Sequence, residues 1–130
     1  MHRPRFDWDK AELRHKPNTV ENRIFHALKK MISVRTEVAA FADFNNRELR
    51  DSGNPHLFAF CRVNHQQSSD RVLVVGNFDG HPQHMEFDNL KETGIMQHSQ
   101  LYDLYSGEKP VMFKNALIVP PHRFYWLQSR

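Results

Sequence analysis

Imidazoles and a carboxylate cluster in one short segment, Asp79-Gly-His-Pro-Gln-His84, and Asp79, His81 and His84 are residue types that bind zinc and related cations. The same segment holds Gly80 and Pro82, which mark a chain reversal whose polar residues are ordinarily solvated. The other histidines show no ligand spacing, so no metal and no cofactor is predicted. Asp79, Glu86, Asp88, Asp103 and Glu108 supply carboxyl groups for acid–base pairing, but sequence shows neither approach nor burial, and solvated carboxylates are the expectation. Gly76-Asn-Phe-Asp-Gly80 lacks the lysine and the following helix of a phosphate-binding loop; its glycines serve the turn, and no nucleotide is implied.

Two aromatic groupings carry other chemistry. Phe58, Phe60 and Arg62 fall on one strand face, as in sheets that stack nucleic-acid bases and meet phosphate with arginine. A five-stranded oligonucleotide-binding barrel is therefore an alternative, although the strand signals exceed five and paired phenylalanines in a sandwich are usually core. Phe124, Tyr125, Trp126, Trp8, Tyr102 and Tyr105 have flat apolar faces suited to sugar rings. Alternation sends neighbours to opposite faces, and Trp126 stands in the final core strand, so packing is its expected role.

The elements that must position these residues fit one ordinary domain of 130 residues. Hydrophobic residues at 39% and aromatics at 12% suffice for a packed interior. Eighteen basic against fifteen acidic side chains leave a charge of only +3, which argues against a polyanion partner despite a pI near 9.2. No apolar run reaches the roughly 20 residues of a membrane helix, and the N-terminus has no apolar segment of a signal peptide. The expectation is a soluble cytoplasmic chain without a membrane partner, with the single Cys61 as a buried hydrophobe.

Residues 1–17 show no sustained period and read as an irregular lead-in, although Asp9 to His15 could form a helical turn. Val20, Ile24, Ala27, Leu28, Met31 and Ile32 then recur at three- and four-residue steps, which predicts a helix ending near 35–37, capped by Asn18 or Thr19 with Glu21 in a box-like arrangement with Asn18. Beyond Val38 the pattern predicts strands over 47–50, 56–63, 71–78, 83–88, 101–105, 111–114, 116–119 and 124–128. Turn residues separate them at Asp51-Ser-Gly-Asn-Pro55, Asn64 to Asp70 and Asn77 to Pro82. The fold class is mainly β: an antiparallel sandwich of Greek-key type with seven or eight strands, preceded by one N-terminal α-helix. Leu57, Ala59, Cys61 and Val63 should share one face, with Phe58 and Phe60 opposite, and the continuously apolar 72–75 suits a central strand.

Several stretches in order carry a resemblance: His2-Arg-Pro-Arg-Phe-Asp-Trp8, Thr19 to Phe25, Leu28 to Arg35, Gly53-Asn-Pro-His56, Val72-Leu-Val-Val-Gly-Asn-Phe78, Asp103-Leu-Tyr-Ser-Gly107 and Pro120 to Leu127. Together they resemble the C-terminal region of α-amylase-type glycoside hydrolases, and most closely of amylosucrases, glucosyltransferases of carbohydrate metabolism. The resemblance implies that residues 1–37 are the lead-in and last barrel-type helix of a missing catalytic domain, and 38–130 a C-terminal β-sandwich domain. The parent transfers glucose from sucrose to α-glucan on a (β/α)8 barrel, through two carboxyl residues on strands this chain lacks. No catalytic residue is therefore expected here; Arg3 alone would approach the substrate pocket, and only in the intact parent. The implied partners are the barrel and α-glucan. A free-standing module for α-glucan or single-stranded nucleic acid is the alternative. Without the barrel, the stripe of Ile24, Leu28, Met31 and Ile32 must fold back or meet another molecule, as in a homodimer.

Overall fold

A computed structural model describes residues 4–95 and 100–129. The chain forms two compact units, Met1–Val34 and Arg35–Arg130. The first contains α1 (Trp8–Glu12), a 3-10 turn (Leu13–His15) and most of α2 (Val20–Glu37). Asp7 starts α1: its carboxylate accepts from the Lys10 amide at 2.9 Å, giving a first-turn donor its partner. Thr19, not Asn18, caps α2, accepting from the Asn22 amide at 3.1 Å and donating to the Leu13 carbonyl at 2.7 Å. Asn18 instead turns the chain at φ +67°, a left-handed conformation that asparagine tolerates, which takes it out of the box with Glu21. The helix runs to Glu37, as its periodicity predicts, with Val20, Ile24, Leu28 and Ile32 each more than half exposed.

The second unit is the mainly β sandwich that the strand spacing predicts. Its strands are β1 (Arg47–Arg50), β2 (Leu57–Asn64), β3 (Gln67–Asn77), β4 (Gln83–Glu86), β5 (Leu101–Asp103), β6 (Met112–Phe113), β7 (Ala116–Val119) and β8 (Phe124–Ser129). They form two antiparallel sheets, ordered β1-β2-β3-β8-β5 and β4-β7-β6. Alternation builds the layer between them. Leu57, Ala59, Cys61 and Val63 of β2 join Leu73 and Val75 of β3, Leu127 of β8, Met85 of β4 and Leu117 and Val119 of β7 in one core. Each large side chain fully buried there stabilises the fold by roughly 1.5–3 kcal/mol. β3 is the central strand, with Val72, Leu73 and Val75 buried. Burial pushes the Cys61 thiol up from its ordinary value, against the lowering effect of Arg50.

Several predicted elements differ, among them the strand expected over 101–105, which stops at Asp103 before a turn. The strand expected over 83–88 stops at Glu86, and Phe87–Glu92 forms a helix, α3, that buries Leu90. β3 starts at Gln67, inside what the polar residues suggested was a turn, and the pairing shifts between Val63 and Asn64, as at a β-bulge. The helical turn that Asp9 to His15 allowed is present as α1 and the 3-10 turn after it, whereas α3 was not expected. Among the described residues no helix is long and apolar enough to cross a membrane.

A second cluster covers part of the outer face of the five-stranded sheet. The 3-10 turn Ala39–Phe41 places Phe41 on Trp126, ring centroids 5.0 Å apart. Arg62 is buried at its edge. Its Nε donates to Asn46 Oδ1 at 2.5 Å, its Nη2 donates to the Phe41 carbonyl at 3.2 Å and to that of Asp43, and the guanidinium lies 5.7 Å from the Phe41 ring centre.

Candidate functional site

The other end of that outer face is open. Phe58, Gly76 and Phe124 are direct cross-strand neighbours on β2, β3 and β8, and such neighbours project to the same face. Gly76 therefore leaves a gap between two rings. Phe78, from the turn after β3, lays its ring there, 3.5 Å from where a Gly76 Cβ would stand. Phe78 is 76% and Phe58 50% exposed, so both rings are presented to solvent rather than packed away.

The turn carrying Phe78 is held from below. Asn77 is buried, and its Nδ2 donates to the carbonyls of His81 at 2.8 Å, Val119 at 3.0 Å and Pro120 at 3.1 Å, tying β3 to the end of β7 in the other sheet. Its Oδ1 accepts from the Asp79 amide at 2.8 Å, and the Phe78 amide donates to the His56 carbonyl at 3.2 Å. The turn is a fixed platform.

Beside the rings, Asp79 is gripped by two imidazoles. His56 Nδ1 lies 2.8 Å from Oδ2, while His81 reaches Oδ1 with its ring Nδ1 at 3.0 Å and its amide at 2.9 Å. The bonds from the His81 ring and amide, with His56 adding a smaller effect, lower the Asp79 carboxyl below its ordinary value. An ionised carboxylate only accepts, so each imidazole turns a protonated Nδ1 to it; in the neutral ring, Nε2 of His56 is then an outward acceptor.

Phe58, Phe78, His56, Asp79 and Pro55 line an open depression of about 580 Å³. A second of about 580 Å³ shares Pro55, Leu57 and Phe58 with it and extends to Leu49, Asp51 and Asn54. Both volumes fall within the roughly 300–1,000 Å³ of ligand sites. The loop on this side is also organised: Asn54 Nδ2 donates to Gln83 Oε1 at 2.9 Å and to the His84 carbonyl at 3.0 Å. Chemically, the arrangement offers flat apolar faces next to acceptors for hydroxyl donors.

Of the predicted site residues, Arg3 lies outside the described residues. Asp79 and His81 are together, but His84 is on β4 and His56, 23 positions before Asp79, is the second partner. Among the described residues no three metal-binding side chains are grouped to hold an ion. Asp103 is buried on backbone amides, whereas Glu86, Asp88 and Glu108 are exposed. Of the aromatic candidates, Trp126 is buried, Tyr125 packs against the core, Tyr102, Tyr105 and Phe124 are half-buried, and Trp8 is exposed against Phe6. Arg62 shares a face with Phe58 and Phe60 as alternation placed it, but it is buried and bonded to carbonyls, so it is not presented to phosphate, while Phe58, expected in the core, is half exposed. Sequence reasoning missed His56 and Phe78; the only signal was their place in turns next to aromatic strands.

No protein-family model matches the sequence, and no curated protein sequence matches it. In fold the chain is similar to a solved pullulanase from Anoxybacillus sp. LM18-11, crystallised with maltotriose, at a TM-score of 0.59 and 13% identity. The likeness covers 95% of this chain and 16% of that one. At this identity it is a likeness of fold.

Proposed function

We propose that the chain is the non-catalytic C-terminal region of an amylosucrase-like enzyme of the α-amylase type, whose whole transfers glucose from sucrose to α-glucan in the cytoplasm. Residues 1–37 are the lead-in and last barrel-type helix, and 38–130 the sandwich that steadies the (β/α)8 barrel. The observation that carries this reading is the span of the fold likeness: helix and sandwich together align with one sixth of a carbohydrate-active enzyme. The ordered sequence resemblances point the same way.

Immunoblotting source-cell lysate with an antibody against the chain tests this directly. A band several times heavier than 15.4 kDa is expected, and a band at that mass overturns the parentage. The purified chain should neither cleave sucrose nor extend glucan; turnover above a matched inactive control contradicts the non-catalytic role.

A further inference from the structure

We propose that the groove around Phe58 and Phe78 binds a neutral saccharide chain, with sugar rings lying on the phenylalanine rings and sugar hydroxyls donating to Asp79 and His56. Three observations carry it. The two depressions share Phe58 and adjoin, which suits an extended ligand better than a compact one. The first holds no lysine or arginine and does hold a carboxylate kept ionised by His81 and His56, while the arginine that lines the second, Arg50, is paired with Glu48; this setting does not favour phosphate or acidic peptides. The third is chemical. Another protein's apolar surface would take the Asp79 carboxylate and the outward Nε2 of His56 out of water without new hydrogen bonds, at a cost. Sugar hydroxyls supply donors to those acceptors while the sugar's CH faces cover the rings. Asn77 holds the platform before ligand arrives, which reduces the ordering cost of binding.

The saccharide class follows from the groove; the choice of an α-linked glucan rests on the parentage proposed above. The test separates the two. The full 130-residue chain is titrated with maltoheptaose and, separately, with cellohexaose, following backbone amide shifts by NMR. Expected are saturable shifts with maltoheptaose at Gly76 to Gly80 and His56 to Phe58, weakened on the order of tenfold by Phe78→Ala, the loss of one aromatic contact. His56→Ala should weaken them several-fold. Unchanged amide positions elsewhere in both variants certify their folds. Binding of cellohexaose alone, with the same residue dependence, keeps the groove and removes the α-glucan parentage. Binding of neither, or binding indifferent to both variants, overturns the proposal.

Discussion

Asp103 and Asp79 each organise a chain reversal through a short-range carboxylate bond, yet the two turns end in opposite conditions. Asp103 is 2% exposed; its Oδ1 accepts from the Trp126 amide at 2.8 Å and the Tyr105 amide at 3.4 Å, and its Oδ2 from the Ser106 amide at 2.9 Å. Its own amide and carbonyl close the turn through Glu108 and Gly107. Asp79 sits at the surface between two imidazoles. The difference lies in the donors from outside the turn. The Trp126 amide of the neighbouring strand locks Asp103 into the fold, whereas Asp79 takes its bonds from an amide of its own turn and two surface imidazoles, which hold it in place while leaving it open to a ligand.

Replacing Asp103 with Ala should cause the largest loss, about 3 kcal/mol, because a charged acceptor disappears and the buried Trp126 amide loses its partner. Urea denaturation measures it. Against a total of roughly 5–15 kcal/mol, that is enough to populate unfolded chain on mild heating. A cost below about 1 kcal/mol would break the contrast between the two turns. Asn77→Ala comes next, at about 2 kcal/mol, since three carbonyls and the Asp79 amide lose a buried partner. It should also loosen the Phe78 turn, seen as faster amide exchange at Gly80 and His81, while leaving exchange at Ser106 and Gly107 unchanged.

These two turns also differ in how legible they were. The Asp79 turn was visible as a reversal between Asn77 and Pro82, whereas the Asp103 turn falls inside a stretch read as strand over 101–105; the inward and outward faces of β2 followed from alternation alone. The helix α3 was not legible: six residues with one buried apolar side chain, Leu90, give no period to detect. The polar start of β3, Gln67 to Asp70, pairs through backbone bonds that side-chain pattern does not report. Arg62 was assigned to the correct strand face, but what buries it, Phe41 and Asn46, comes from 16 to 21 positions upstream. The groove was hidden for the same reason, because the bond between His56 and Asp79 joins two turns that only sheet pairing brings together.

A smaller effect is expected from Asp79→Asn, and its signature is pH dependence. The Asp79 carboxyl lies below its ordinary value in the folded chain, chiefly through His81, and returns to it on unfolding. Ionised Asp79 thus adds stability that is complete above the ordinary carboxylate range and is lost as pH falls through the folded value. The thermal midpoint of the native chain should exceed that of the variant at neutral pH, and the two curves should converge on acidification. Parallel curves would mean that the imidazole contacts do not couple to folding, and the two aspartates would then differ more than proposed.

The smallest effect on stability should come from Phe78→Ala, within about 0.5 kcal/mol of the parent chain. Its ring is mostly exposed and touches the sheet over Gly76, where no side chain competes for the space, while the turn beneath it is fixed by Asn77 rather than by the ring. Equal unfolding midpoints in urea would mean that the ring is displayed without being needed for folding, as a ligand-facing aromatic should be. A loss above about 1.5 kcal/mol, comparable to a buried side chain, would make Phe78 a lid that seals the gap at Gly76. In that case the Asp79 turn would belong to the fold as fully as the Asp103 turn, and the contrast between them would reduce to exposure alone.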